Sequence, residues 1–125
     1  MGAYSEISAI CVFNAQTIPA GGYITSDVID LGLAQNGYFA IEPTISSVGG
    51  CAVTLTYLVS ISGVTFLTPT SASNIITGMS ETSGPSSNGV DVYTFTPELG
   101  KQMKIRATDV SGATASVIVG WLAVS

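Results

Sequence analysis

The chain has 125 residues, of which 9% are charged, with a net charge of −5 and no histidine. The length suits one domain, and the acidic balance excludes the basic footprint that nucleic acid requires. The missing histidine removes Ser-His-Asp and Cys-His catalysis, together with the commonest metal ligand. Mean hydropathy is +0.53, yet no run approaches the roughly 18 continuous apolar residues of a membrane helix. A charged fraction so far below the usual value of about 25% implies more apolar surface than a small core hides. Exposed apolar patches mark interaction surfaces, so association into an oligomer or a larger assembly is the first expectation, with no membrane partner and no nucleic acid.

The N-terminal MGAYSEISAICVFNA lacks the basic region of a secretory signal and carries Glu6 where its apolar segment would build. Glu6 also breaks the myristoylation pattern. A first strand is predicted near Ser8–Asn14, and IPAGG at 18–22 turns the chain. Residues 1–20 read either as the first strand of the domain or as an arm reaching a neighbour, with a β-sandwich domain over 21–125. Strands follow near Tyr23–Leu31 and Tyr38–Ile45, separated by GLAQNG at 32–37. Pro43 implies a sheet edge or a bulge at the end of the second.

The clearest strand is CAVTLTYLVS, where Cys51, Val53, Leu55, Tyr57 and Val59 alternate with Ala52, Thr54, Thr56 and Ser60, the pattern of a half-buried strand. Gly63 turns SISGVTF toward a strand at Thr65–Thr68. A short strand is predicted at Asn74–Thr77, before GMSETSGPSSNG at 78–89, a surface loop by composition. VDVYTF at 90–95 is a strand, and TPELG has the cap, Pro and Gly of a single helical turn. QMKIRATD then places Met103, Ile105 and Ala107 on one face and Lys104, Arg106 and Thr108 on the other. In the last strand Val117, Val119 and Trp121 oppose Ile118, Leu122 and Val124. Both faces are apolar, which fits a strand sheltered by its own loops or one covered by a neighbouring subunit. About eight strands predict an all-β fold: a single antiparallel β-sandwich of jelly-roll or Ig-like topology.

Every cation of the chain lies in KQMKIR, as Lys101, Lys104 and Arg106. The stripe has two readings: cross-strand pairing with its own acids, Asp91 and Glu98 being near in sequence, or docking on an acidic partner that fixes orientation. Asp27 and Asp30, the closest carboxylate pair, point to opposite faces of a strand and do not form a glycosidase pair. The acids Asp27, Asp30 and Glu81 lack the regular loop of a calcium site. Cys11 and Cys51 read as small buried hydrophobes, and their number does not suggest zinc. Trp121 sits mid-strand in the most apolar stretch, which favours burial over a sugar platform. No catalytic residue, cofactor or metal is expected.

The succession VIDLG, GYFAIEP, VTLTYLVSISGVTFLTP, VYTFTPELGKQMKIRATD and VIVGWLAV, over residues 24 to 124, resembles small β-sandwich structural proteins of tailed-bacteriophage virions. In those proteins a D-L-G turn, a V-T-L-x-Y-x-V-S-x-D-G-x-x-F hairpin and a methionine-lysine strand recur in this order. This chain departs at the hairpin, where Ser62-Gly63 stands in place of an acid-glycine pair. The resemblance implies a capsid decoration (cement) or minor capsid protein that works by assembly, forms a homo-oligomer such as a trimer, and docks on the major capsid or another virion protein. It further implies assembly in the host cytoplasm and residence in the virion. Trp121, Leu122 and Val124 would be buried between copies, and Lys101, Lys104 and Arg106 would orient the contact. Two other functions fit the residues: a filament subunit that exchanges its N-terminal strand, and a carbohydrate-binding sandwich with Tyr4, Tyr23, Tyr38 or Tyr93 clustered on one side.

Overall fold

Period-two runs of β-branched and aromatic residues become strands because alternate side chains then reach one apolar interior. The computed structural model describes residues 8–33, 37–70, 74–97 and 100–125. Among these lie nine strands: β1 (Ser8–Ile18), β2 (Tyr23–Thr25), β3 (Ile29–Asp30), β4 (Phe39–Ser46), β5 (Val53–Ser60), β6 (Ile76–Met79), β7 (Tyr93–Phe95), β8 (Gln102–Asp109) and β9 (Ser116–Val124). One 3-10 turn spans Leu31–Leu33.

All strand pairs are antiparallel, in two sheets. The first sheet has the order β1-β9-β4-β7; the second has β2-β8-β5-β6, with β3 also on β8. The strand predicted over Tyr23–Leu31 is β2 and β3, interrupted by a bulge. Four residue steps from Thr25 to Ile29 face three from Arg106 to Met103, so one residue is extra. Ser26 fills the gap: its N–H donates to the Ile105 carbonyl at 2.8 Å, and its Oγ accepts the Ile105 N–H at 2.9 Å.

With β2 and β3 taken as one position, the sandwich has eight. First pairs with last (β1·β9), second with seventh (β2/β3·β8), third with sixth (β4·β7), and fourth with fifth (β5·β6). That is one long antiparallel hairpin rolled up so that β9 also meets β4 and β8 also meets β5. The topology is therefore a jelly roll, and the Ig-like alternative is excluded by the order of the strands.

The core lies between the sheets. Phe13, Ile18, Phe39, Ile41, Ile45, Ile118, Leu122 and Val124 come from one; Val53, Leu55, Tyr57, Met79, Met103, Ile105 and Ala107 come from the other. Each large aliphatic or aromatic side chain so buried contributes about 1.5–3 kcal/mol relative to exposure. β1 belongs to this core through Phe13 and Ile18. Register shifts between Cys11 and Phe13 and between Phe13 and Gln16, with Ala15 at φ 51°, bend the strand and carry it four residues beyond Asn14.

Several predicted details change. β4 is an interior strand, between β9 and β7, despite Pro43. Its ladder with β7 ends at Ile41↔Tyr93, and the Pro43 carbonyl accepts only a 3.4 Å bond from the Asp91 N–H. The missing proline N–H thus falls where regular pairing has stopped. β5 is buried on both faces, Thr54, Leu58 and Ser60 included; it lies between β8 and β6, and the following segment bridges back to it at Leu67↔Val59. No strand forms at Thr65–Thr68; a lone bridge pairs Leu67 with Val59. The helical turn predicted in TPELG falls partly on Glu98 and Leu99, which lie outside the described residues, as do 34–36 of GLAQNG.

Candidate interaction surfaces

β8 turns Met103, Ile105 and Ala107 into the core and Lys104, Arg106 and Thr108 outward. The cations meet aromatic rings: Lys104 Nζ lies 4.4 Å from the Phe66 centroid and Arg106 Cζ 4.2 Å from that of Tyr23. Arg106 Nε also donates to Thr25 Oγ1 at 3.3 Å. Such contacts are worth about 0.5–1 kcal/mol each at a surface; they hold the side chains without neutralising them. Lys101 is exposed, just before β8, and its N–H donates to the Ser60 carbonyl at 2.8 Å. Among the described residues none of the three cations forms an ion pair with a carboxylate.

The predicted pairing with Asp91 does not form. Asp91 lies beside the other sheet, where it accepts the Val92 N–H at 2.8 Å and the Tyr93 hydroxyl at 2.9 Å. Burial and the neighbouring carboxylate push the Tyr93 hydroxyl up to about 12. Glu98 lies outside the described residues. Asp27 and Asp30 are exposed at the β2/β3 edge, and Asp30 Oδ1 accepts the Gly32 N–H at 2.9 Å.

The last strand divides sharply. Leu122 and Val124 are 0% and 2% exposed, inside the sandwich, so the folded subunit cannot offer them to a neighbour; Trp121 is 47% exposed. The expectation that Trp121 is core fails because β9 is central and its odd positions face out. Around Trp121 the outer face of the sheet carries small side chains and one acid. Cross-strand register sets Cys11 and Glu42 on either side of Trp121, with Ala9, Ala123 and Ala40 in the adjacent row. Cys11, read as buried, is exposed there.

A feature the sequence reading passed over is the loop after β5. Ile61, Val64 and Leu67 are 80%, 83% and 64% exposed. The loop is nonetheless built: Ser60 Oγ accepts the Gly63 N–H at 2.8 Å, and Ser62 Oγ accepts the N–H groups of Val64 and Thr65 at 3.1 and 3.3 Å. Phe66 leaves it to cover Lys104. Three bare aliphatics inside a serine- and glycine-bearing turn were the available signal.

At the opposite end the loops are closed by Asp109, which is 2% exposed. Its carboxylate accepts the Gly21 N–H at 2.7 Å, the Gly112 N–H at 3.0 Å, the Ser111 hydroxyl at 2.7 Å and the Ser111 N–H at 3.3 Å. Burial raises its pKa, but these donors outweigh burial and bring it down to about 2. Nearby, Cys51 Sγ donates to Glu81 Oε1 at 3.3 Å, and burial pushes the thiol up. A thiol held protonated is a poor nucleophile. Among the described residues no three His, Cys, Asp or Glu side chains gather as a metal site, and no helix is long and apolar enough to cross a membrane. The tyrosines do not share one side: Tyr23 lies on the second sheet, while Tyr38 and Tyr93 belong to the first. Tyr4 lies outside the described residues.

No protein-family model matches the sequence, and no curated protein does. Among solved structures, the chain is similar to one in the structure of infectious bursal disease virus, Gt strain, with a TM-score of 0.58 and 12% identity over 97% of this chain and 33% of that one. It is also similar to one in the infectious bursal disease virus VP2 subviral particle, with a TM-score of 0.52 and 13% identity over 94% of this chain and 31% of that one. The chain thus spans about a third of the length of the chains it resembles. At these identities the likeness is one of fold.

Proposed function

We propose that this chain is a non-enzymatic structural protein of a virion, a jelly-roll subunit that acts as a capsid decoration or minor capsid component through self-association and docking. The observation that carries the reading is the fold likeness, over nearly the whole chain, to chains from viral particles. The jelly roll is a recurrent capsid architecture. Two further facts support it. Trp121 and the aliphatic side chains of 61–67, which the core does not use, stay exposed, and among the described residues none of the three cations has a carboxylate partner. The non-enzymatic part rests on the sequence, which has no histidine to serve as general base. A closed oligomer such as a trimer, docking on a major capsid protein during assembly in the host cytoplasm, is the specific form proposed.

The test is the native mass of the purified full-length protein, by light scattering after gel filtration over a range of concentrations. A discrete closed oligomer is expected. Species that grow with concentration would transfer the assignment to a filament, and a monomer at every concentration would sink the self-association mechanism.

A further inference from the structure

Building on that self-association reading, we infer that two patches on different sides of the subunit dock against each other in successive copies. The apolar loop at 61–67, with Lys101 and Lys104 beside it, seats on the outer face of the β1-β9-β4-β7 sheet of the next copy, around Trp121 and Glu42.

The two patches match in chemistry. The strands of the β1-β9-β4-β7 sheet contain one charged residue, Glu42, and it stands cross-strand from Trp121. Its surroundings are mostly small and uncharged: the next row on one side is Ala9, Ala123 and Ala40, with Thr94 beyond on β7, and on the other side Val119 pairs with Thr44. The loop offers the complement: Ile61, Val64 and Leu67 project from a turn fixed by two serine hydroxyls. Lys101 is tied to the base of that turn through Ser60, and Lys104 is held under Phe66. Asp27 and Asp30 do not cancel these cations at the contact, since β3 lies on one side of β8 and β5, which leads into the loop, on the other.

Charge also disfavours the symmetric alternatives centred on these patches. A sheet-to-sheet contact centred on Trp121 brings the two Glu42 side chains near each other, and a loop-to-loop contact gathers lysines; like charges brought into contact disfavour a pairing. What remains is a heterologous contact, loop to sheet. Such contacts close into rings when the rotation permits and otherwise extend into filaments. An exposed tryptophan beside an apolar row is also the kind of anchor on which interface energy concentrates.

The experiment compares full-length wild type with Glu42→Lys and with the double variant Lys101→Glu/Lys104→Glu, by light scattering across concentration. Trp121, the sole tryptophan, serves as reporter through its emission maximum and acrylamide quenching. The altered side chains are at least partly exposed, so melting temperatures should stay close to wild type, and Val64→Ser adds a loop variant that changes no charge. Each variant is expected to raise the concentration for half-assembly about tenfold, equivalent to about 1.4 kcal/mol. An equimolar mixture of the two charge variants should recover association and protect Trp121, since the intact loop of one still fits the intact sheet of the other. Charge variants that assemble as wild type overturn this contact while leaving self-association standing, as does a mixture that fails to recover. A wild type that never associates overturns both. Flotation of wild type with phosphatidylserine vesicles, lost in the lysine variant while assembly persists, would assign the loop to lipid instead.

Discussion

Asp109 carries out at one residue what most loop ends distribute over several. It is the last residue of β8, yet its carboxylate reaches back to Gly21 and forward to Ser111 and Gly112, tying two loops that are 88 residues apart at Gly21 and Asp109. Asp109→Asn should destabilise the fold by about 2–3 kcal/mol, because charge-assisted bonds are lost and an amide N–H₂ is turned toward backbone donors. The pH dependence follows from the depressed pKa. A carboxyl at about 2 in the folded chain against 3.8 stabilises fully above its unfolded pKa, and that contribution is lost as pH falls from about 4 through 2. Urea denaturation at a series of pH values should show this loss in wild type and a flatter profile in Asp109→Asn. The aspartate's type and place were readable at the end of QMKIRATD; that it is buried was not, since burial depends on the 19–22 turn that leads into β2, the strand beside β8. Trp121 and Leu122 make the same point: their opposite facing is written in the alternation, but which of them enters the core is not.

At the scale of elements, the connection between β6 and β7 shows how a loop that looks featureless by composition can be tied by its own backbone hydrogen bonds. Its backbone closes on itself through Ser87 N–H to Gly84 carbonyl at 3.1 Å and Gly89 N–H to Ser83 carbonyl at 2.8 Å, and its edge is held by Ile45 N–H to Gly89 carbonyl at 2.8 Å. Gly84 has φ +94°, and a Cβ there would collide with the Val90 backbone carbonyl. Gly84→Ala should therefore cost more than about 2 kcal/mol, as steric collision adds to backbone strain. Gly112→Ala, at φ +70° with nothing within 4 Å of its Cβ, should cost only the left-handed strain of about 1–2 kcal/mol. Thermal unfolding of the pair separates the two terms; equal losses would contradict the collision. Strand existence was well marked by alternation, as β8 and β9 show. Interruptions were not: the bulge at Ser26 and the kinks of β1 depend on partner strands whose register the local pattern does not contain.

For the whole molecule, the rolled hairpin makes the chain ends structural partners. β1 pairs with β9, and Phe13 and Ile18 are fully buried against the last strand's core residues. Deleting residues 1–20 should therefore abolish cooperative unfolding rather than leave a folded subunit that merely fails to assemble; loss of two large core side chains alone exceeds about 4 kcal/mol. Circular dichroism melting of the truncated chain tests this, and a sharp transition near that of wild type would show β1 to be dispensable. Assembly is better probed by surface charge changes, which leave the core intact.

The amino-acid order by itself determined the class of fold, the faces of the best-patterned strands and the gathering of all cations on one outward stripe, because each depends only on the two-residue period of an extended chain. The tertiary structure alone decided the rest. Jelly-roll pairing joins first to last and second to seventh, contacts between strands far apart in sequence, so no local pattern encodes them. On β9, where both faces are apolar, only the arrival of the opposite sheet over Ile118, Leu122 and Val124 leaves Trp121 outside. The surface around Glu42 and the bare loop at 61–67 exist for the same reason: the core is made of other residues.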